Sequence, residues 1–352
     1  MNPRDLLLRP VGLGDLPALE RIAAASEHGI SSLPNDQAKL RARIERSVDA
    51  FASLDDASGE ETYLFVLEDS ARGEVVGTSG IAASAGFHDR FYSYRNEFVV
   101  HASAALGVSN RLHTLHLCHD LSGYTLLTSF YIEPAYAHGP APQLLSRARL
   151  LFILQFAERF NERIAAENPG LADQDGQSPF WDAVGRRFFD MDYPQAEAVS
   201  GGRNKAFIAD LMPHSPIYVP LLPEAAQWAI GQLHPVGELP FSILQDEGFG
   251  ADTYIDIFDG GPTVEANLGL LRSVRHARKL RVQGDAMTLG VPLWHLVVNS
   301  ERGGFRAILA ELPQAAQALA SGHEAVARLG LPRDAGMLVT PLWPEQTPRS
   351  QP

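Results

Sequence analysis

The chain opens on an apolar run through Leu6, Leu7 and Leu8, then passes Gly12-Leu13-Gly14-Asp15 into an amphipathic stretch over 16–25. This pattern predicts a strand, a turn and a helix, with Asp15 placed to cap the first turn. A second helical stretch covers 36–51 and is followed by a loop rich in Asp, Ser and Gly. The apolar run at 63–69, the Gly73-Glu74 turn and the run at 75–81 together predict a hairpin. Further strands are expected at 94–101, 112–117 and 126–132. The longest helix is expected over 143–160, where Leu144, Leu145, Ala148, Leu151, Phe152, Gln155 and Phe156 recur at helical spacing.

In the second half, Ser178-Pro179-Phe180-Trp181 starts a helix with proline in its first turn. The proline-rich 213–222 reads as irregular, 225–233 and 241–246 as short helices, and 254–258 as a strand stopped by Asp259-Gly260-Gly261-Pro262. From about Ala286 the texture changes to short strands at 292–298, 305–311 and 336–341. The expected organisation is therefore a main region over 1–285, a small β-rich, barrel-like subdomain over 286–343 and a flexible tail over 344–352. The fold class is α+β: a mixed, mostly antiparallel sheet flanked by helices.

Composition narrows the function. Of 352 residues, 45% are hydrophobic, enough for one large core and a smaller one. Twenty-nine basic against forty-two acidic residues give a net charge of −13 with no basic stripe, which argues against nucleic acid or an anionic membrane as partner. The single cysteine, Cys118, excludes an intramolecular disulfide and a multi-cysteine zinc site. The opening residues carry no signal-peptide pattern, and no apolar run reaches the roughly 20 residues that cross a bilayer. A reducing cytoplasm is the expected setting.

His113, His116 and His119 recur every third residue, a spacing that invites a metal. On a strand, residues three apart face opposite sides, so the interleaved leucines favour a structural role. Asp256 and Asp259 can hold a cationic substrate through charge-assisted bonds; the alternative is that Asp259 only caps the Gly260-Gly261 turn.

Several longer strings are more specific. They are Thr62-Tyr63-Leu64-Phe65-Val66-Leu67-Glu68-Asp69-Ser70, Ser178-Pro179-Phe180-Trp181-Asp182-Ala183-Val184-Gly185-Arg186-Arg187-Phe188-Phe189, Gly231-Gln232-Leu233-His234-Pro235, and Glu247-Gly248-Phe249 followed by Tyr254-Ile255-Asp256-Ile257-Phe258-Asp259-Gly260-Gly261-Pro262-Thr263. Over nearly the whole chain these resemble the arginine N-succinyltransferase family. Leu117-Cys118-His119-Asp120-Leu121-Ser122-Gly123 and Leu126-Leu127-Thr128-Ser129-Phe130-Tyr131 are similar to the alpha chain of its two-subunit form.

The resemblance implies an acyl-CoA N-acyltransferase (GNAT-like) fold. It implies transfer of succinyl from succinyl-CoA to the α-amine of L-arginine or L-ornithine, the first step of arginine breakdown by succinylation. Succinyl-CoA is then a co-substrate, no metal takes part, and a homologous beta subunit completes a hetero-oligomer. The alternative is a non-catalytic or regulatory subunit that relies on the beta-type partner for coenzyme A.

By the same resemblance His234 is the proton donor. Phe130, with Tyr131, lies on the strand that contacts acyl-CoA, and Gly139 and Gln143 belong to the pyrophosphate loop. That loop departs from the usual pattern: Tyr136 stands where Arg or Gln is expected, and Pro140 and Pro142 remove two amide donors.

Overall fold

Strand β2 (Thr62–Asp69) buries both of its faces. Side chains alternate across a strand, so Tyr63, Phe65 and Leu67 enter one core and Leu64 and Val66 the other. In the computed structural model, which describes residues 2–25, 33–54, 57–173, 176–200, 210–284, 291–314 and 316–343, helices cover both of these faces. Helix α3 (Pro140–Gln155) packs on the first, and α1 (Leu16–Ala25) with much of α2 (Gln37–Ala52) on the second. Phe51, Tyr63, Phe65, Phe152 and Phe305 meet edge to face at centroid distances of 4.9 to 5.7 Å, the geometry aromatic quadrupoles favour. Asp36 caps α2 by accepting from the Lys39 amide at 2.9 Å. Asp15 acts one turn earlier than expected: it accepts from the Gly12 amide at 2.8 Å and pairs with Arg9.

The remaining strands are β1 (Leu6–Pro10), β3 (Glu74–Ala82), β4 (Ser93–Ser103), β5 (Val108–Cys118), β6 (Thr125–Ile132), β7 (Arg163–Glu167), β8 (Ile217–Tyr218), β9 (Gly250–Ile255), β10 (Pro262–Asn267), β11 (Arg278–Gln283), β12 (Pro292–Asn299), β13 (Ala307–Pro313), β14 (Ala318–Ala320) and β15 (Gly336–Pro341). Among the described residues they form one sheet, in the order β14-β11-β15-β12-β13-β1-β2-β3-β6-β7-β10-β9-β4-β5-β8. Only β6 with β7 and β11 with β14 run parallel.

Three differences from the sequence reading matter for the site. The long helix begins at Pro140 and ends at Gln155, because prolines in a first turn forfeit no helical hydrogen bond. The residues expected to continue it form a short turn and then β7, a strand the sequence pattern does not announce. The expected strand at 254–258 is instead β9, and Ile257 and Phe258 fall in a turn closed by Asp256.

The C-terminal strands do surround a core of their own, including Leu280, Val297, Ile308 and Leu319. They nevertheless extend the main sheet, since β13 pairs with β1. The expected boundary at 285–286 and the tail at 344–352 lie outside the described residues, while β11 before that boundary and β12 after it both pair with β15.

One buried network ties this end to α3. The Arg147 guanidinium meets Glu247 and Ser273 Oγ at 2.8 Å and the Pro341 carbonyl at 2.9 Å. Glu247 also accepts from Arg272 at 3.0 Å and from the Ser273 amide at 2.7 Å.

Candidate active site

β6 and β7 pair only through Thr125 with Ile164 and Leu126 with Ala165. Beyond that point β6 keeps β3 on its other side, and β7 keeps β10, so their carboxyl-terminal halves stand apart. The peptide groups of β6 that face this opening have no strand partner there among the described residues, and backbone groups demand one.

On the β3 side a register shift falls between Thr78 and Gly80, and opposite it Ser129 adopts φ +56°. This bulge needs Gly80, because a Cβ there would lie 2.8 Å from Thr128 Oγ1. Ser129 is held from several sides: its carbonyl accepts from Thr78 Oγ1 at 2.9 Å, and Arg43 from α2 donates to its hydroxyl. After the bulge Phe130 leans toward the α3 core and Tyr131 toward the α1 core, so the two residues share the opening through their backbone.

The link from β6 to α3 carries the altered loop. Tyr136 is buried and donates its hydroxyl hydrogen to Asp69 at 2.7 Å. Burial and that carboxylate push the phenol up to about 12, so Tyr136 is a neutral wall. Gly139 is exposed at φ +72° with open space around its Cα, directly before Pro140. With prolines at the first and third helical positions, the free amides at this helix end are those of Gly139 and Ala141. Gln143 is half-buried, and its Oε1 has no partner.

His234 enters from the far side of the opening. Its amide donates to the Pro169 carbonyl at 2.9 Å, Leu233 bridges to Gly170, and the Gly231 amide donates to Gly260 at 2.8 Å. These contacts moor the loop to the chain just after β7, beside the divergence. The Val236 amide donates to His234 Nδ1 at 3.4 Å. In the neutral imidazole the hydrogen then sits on Nε2, which has no partner among the described residues and is a ready donor.

The loop rests on Asp259, whose carboxylate accepts from Gly170 at 2.7 Å, Gly261 at 2.8 Å and Tyr193 at 3.4 Å. Asp256 accepts from the Phe258 amide at 2.6 Å. Both carboxylates are buried and accept from backbone amides, with Asp259 capping the Gly260-Gly261 turn. His234, Asp256 and Asp259 thus lie around the chain that follows β7, Phe130 and Tyr131 on neighbouring β6, and Gly139 and Gln143 at the start of α3.

The three spaced histidines do not converge. His113 stacks on Phe98 and meets Asn96, His116 meets Thr114 and Glu97, and His119 is exposed past the strand end. Among the described residues no three His, Cys, Asp or Glu side chains form a metal-holding group, and no helix is long and apolar enough to cross a membrane.

A family model described as arginine N-succinyltransferase beta subunit matches residues 6–273. The arginine N-succinyltransferase subunit alpha of Pseudomonas aeruginosa is 48% identical over 336 residues, covering 92% of this chain and 99% of that protein. The arginine N-succinyltransferase of Salmonella paratyphi B is 41% identical over 303 residues, covering 86% of this chain and 88% of that protein. The solved structure of arginine/ornithine succinyltransferase subunit AI from Pseudomonas aeruginosa superposes with a TM-score of 0.85 at 44% identity, covering 97% of this chain and all of that one. With the family model spanning most of its length and a relative of nearly equal extent at 48% identity, the chain belongs to the arginine N-succinyltransferase family.

Proposed function

We propose that this chain transfers the succinyl group of succinyl-CoA to the α-amine of L-arginine or L-ornithine, giving the N2-succinyl amino acid and coenzyme A on an acyl-CoA N-acyltransferase framework. The observation that carries this reading is the divergence of β6 from β7 with the His234 loop moored at its open end. The pantetheine arm lies along the unpaired side of β6 near Phe130, and the pyrophosphate meets the Gly139 and Ala141 amides at the start of α3.

The neutral amine attacks the thioester carbon, and backbone donors of the opening stabilise the oxyanion. As the carbon–sulfur bond breaks, His234 Nε2 gives its hydrogen to the departing thiolate in concert with return of a hydrogen to the imidazole from the ammonium nitrogen of the tetrahedral adduct, so the ring never becomes an imidazolate. Asp256 and Asp259 hold the turn that positions this imidazole and supply negative charge toward a cationic substrate.

A non-catalytic role is not favoured: the Salmonella relative carries the enzyme's name with no subunit label. The beta-subunit description of the family model and the alpha-subunit name of the Pseudomonas relative support an assembly with a homologous second chain. The test is thiol release from succinyl-CoA by the purified chain, alone and with that second chain, across a panel of amino acids. Arginine or ornithine is expected to lead the panel, and no turnover in either preparation overturns the reading.

Asp259→Ala separates turn building from substrate holding. Losing an acceptor shared by two buried amides is expected to cost about 1–3 kcal/mol and to lower kcat along with Tm. A raised KM for arginine with an unchanged Tm is the outcome of a substrate-holding role.

A further inference from the structure

Four arginines are buried among the described residues: Arg43, Arg147, Arg149 and Arg159. Arg147 pairs with Glu247 and Arg159 with Glu61, while Arg43 reaches the Ser129 hydroxyl. Arg149 has no carboxylate partner among the described residues. Its Nε and Nη2 donate to the Ser146 carbonyl and hydroxyl of its own helix at 3.0 Å. Nη1 makes only long approaches, 3.5 Å to the Gly80 carbonyl and 3.4 Å to that of Thr128.

A guanidinium carries five donors, and a buried cation is costly without a counter-charge. A hydrophobic side chain of similar length serves packing better, so packing does not account for the charge. Burial alone pushes this guanidinium down to about 9, which leaves it a cation at neutral pH with only neutral acceptors and no carboxylate opposite it among the described residues.

We infer that Arg149 is the subsite for the terminal carboxylate of the acyl group, and so the residue that selects succinyl over neutral acyl chains. The inference rests on the succinyl-transfer reading above. The guanidinium carbon lies 5.9 Å from the Phe130 ring centroid, in the α3 core under β6 and against the β3–β6 bulge, one strand's width from the opening. From thioester carbon to carboxylate carbon, succinyl spans three bonds of about 1.5 Å each, or roughly 4 Å end to end. A thioester beside Phe130 therefore brings its distal carboxylate within reach of Arg149. There the planar fork accepts it in a water-poor site, where a charge-assisted pair is strong.

The test uses the active preparation with succinyl-CoA and with butyryl-CoA, which keeps the four-carbon chain and lacks the carboxylate. Preference of the unaltered enzyme for succinyl-CoA is measured first, and its absence sinks the succinyl-transfer reading itself. Arg149→Met is then expected to lower the succinyl-to-butyryl ratio of kcat/KM by about a hundredfold or more, as losing a partner for a substrate's polar group does. Calorimetric titration is expected to show succinyl-CoA affinity falling by roughly tenfold or more relative to coenzyme A. Arg149→Lys keeps the cation without the fork and is expected to fall between, which carries the test if the methionine variant does not fold. Equal losses with both acyl chains, or an unchanged ratio, overturn the assignment.

Discussion

Replacing His234 by alanine is expected to reduce kcat by about a hundredfold or more while Tm and the affinity for succinyl-CoA stay close to those of the unaltered enzyme. The imidazole is half-buried, and its only described bond is the one from Val236 to Nδ1, so truncation removes little that holds the fold. What disappears is the Nε2 hydrogen for the leaving thiolate. The effect therefore belongs to the chemical step, which single-turnover measurement of thiol release isolates. The loop keeps its course, because the amide of residue 234 still donates to Pro169 and Pro235 still fixes the backbone. Turnover at the original rate removes His234 from the mechanism.

Glu247→Ala is expected to destabilise the protein by about 3–5 kcal/mol, the usual cost of stripping one member from a buried ion pair. Glu247 is 1% exposed and answers Arg147, Arg272 and the Ser273 amide together. Burial already pushes Arg147 down to about 10, with the Glu247 charge opposing that push. Once that charge is gone, Arg147 has only Ser273 Oγ and the carbonyls of residues 341 and 342. Urea unfolding measures the loss, and a midpoint within experimental scatter of the original contradicts it. Adding Arg147→Met to Glu247→Leu is expected to recover much of the stability, since matched apolar replacements avoid the stranded cation.

The sequence was most legible where a segment's own pattern decides its state. β2 announces itself because both faces are apolar, and α2 because Asp36 precedes an amphipathic run. His234 is legible only as part of a longer string. β7 was hidden: it has five residues, with Ala165 and Ala166 at its centre, and is a strand because β6 and β10 flank it. The opening depends on β7, so it was beyond local reading as well. The bulge at Ser129 and the solitary charge of Arg149 are likewise products of distant neighbours. A buried arginine on a helix looks the same in sequence whether or not a glutamate waits across the core. Asp256 and Asp259 were found by type, but only coordinates show how far backbone amides already occupy them.

The pairing of β1 with β13 bears on how the molecule is made. Leu7 faces Ile308, so one edge of the central strands stays uncovered until nearly the whole chain has left the ribosome. Bare edges recruit strands from other molecules, and contacts this remote in sequence form late. Until β13 is made, the β1 edge it covers is open to strands of other molecules, and pairing with β13 closes that edge.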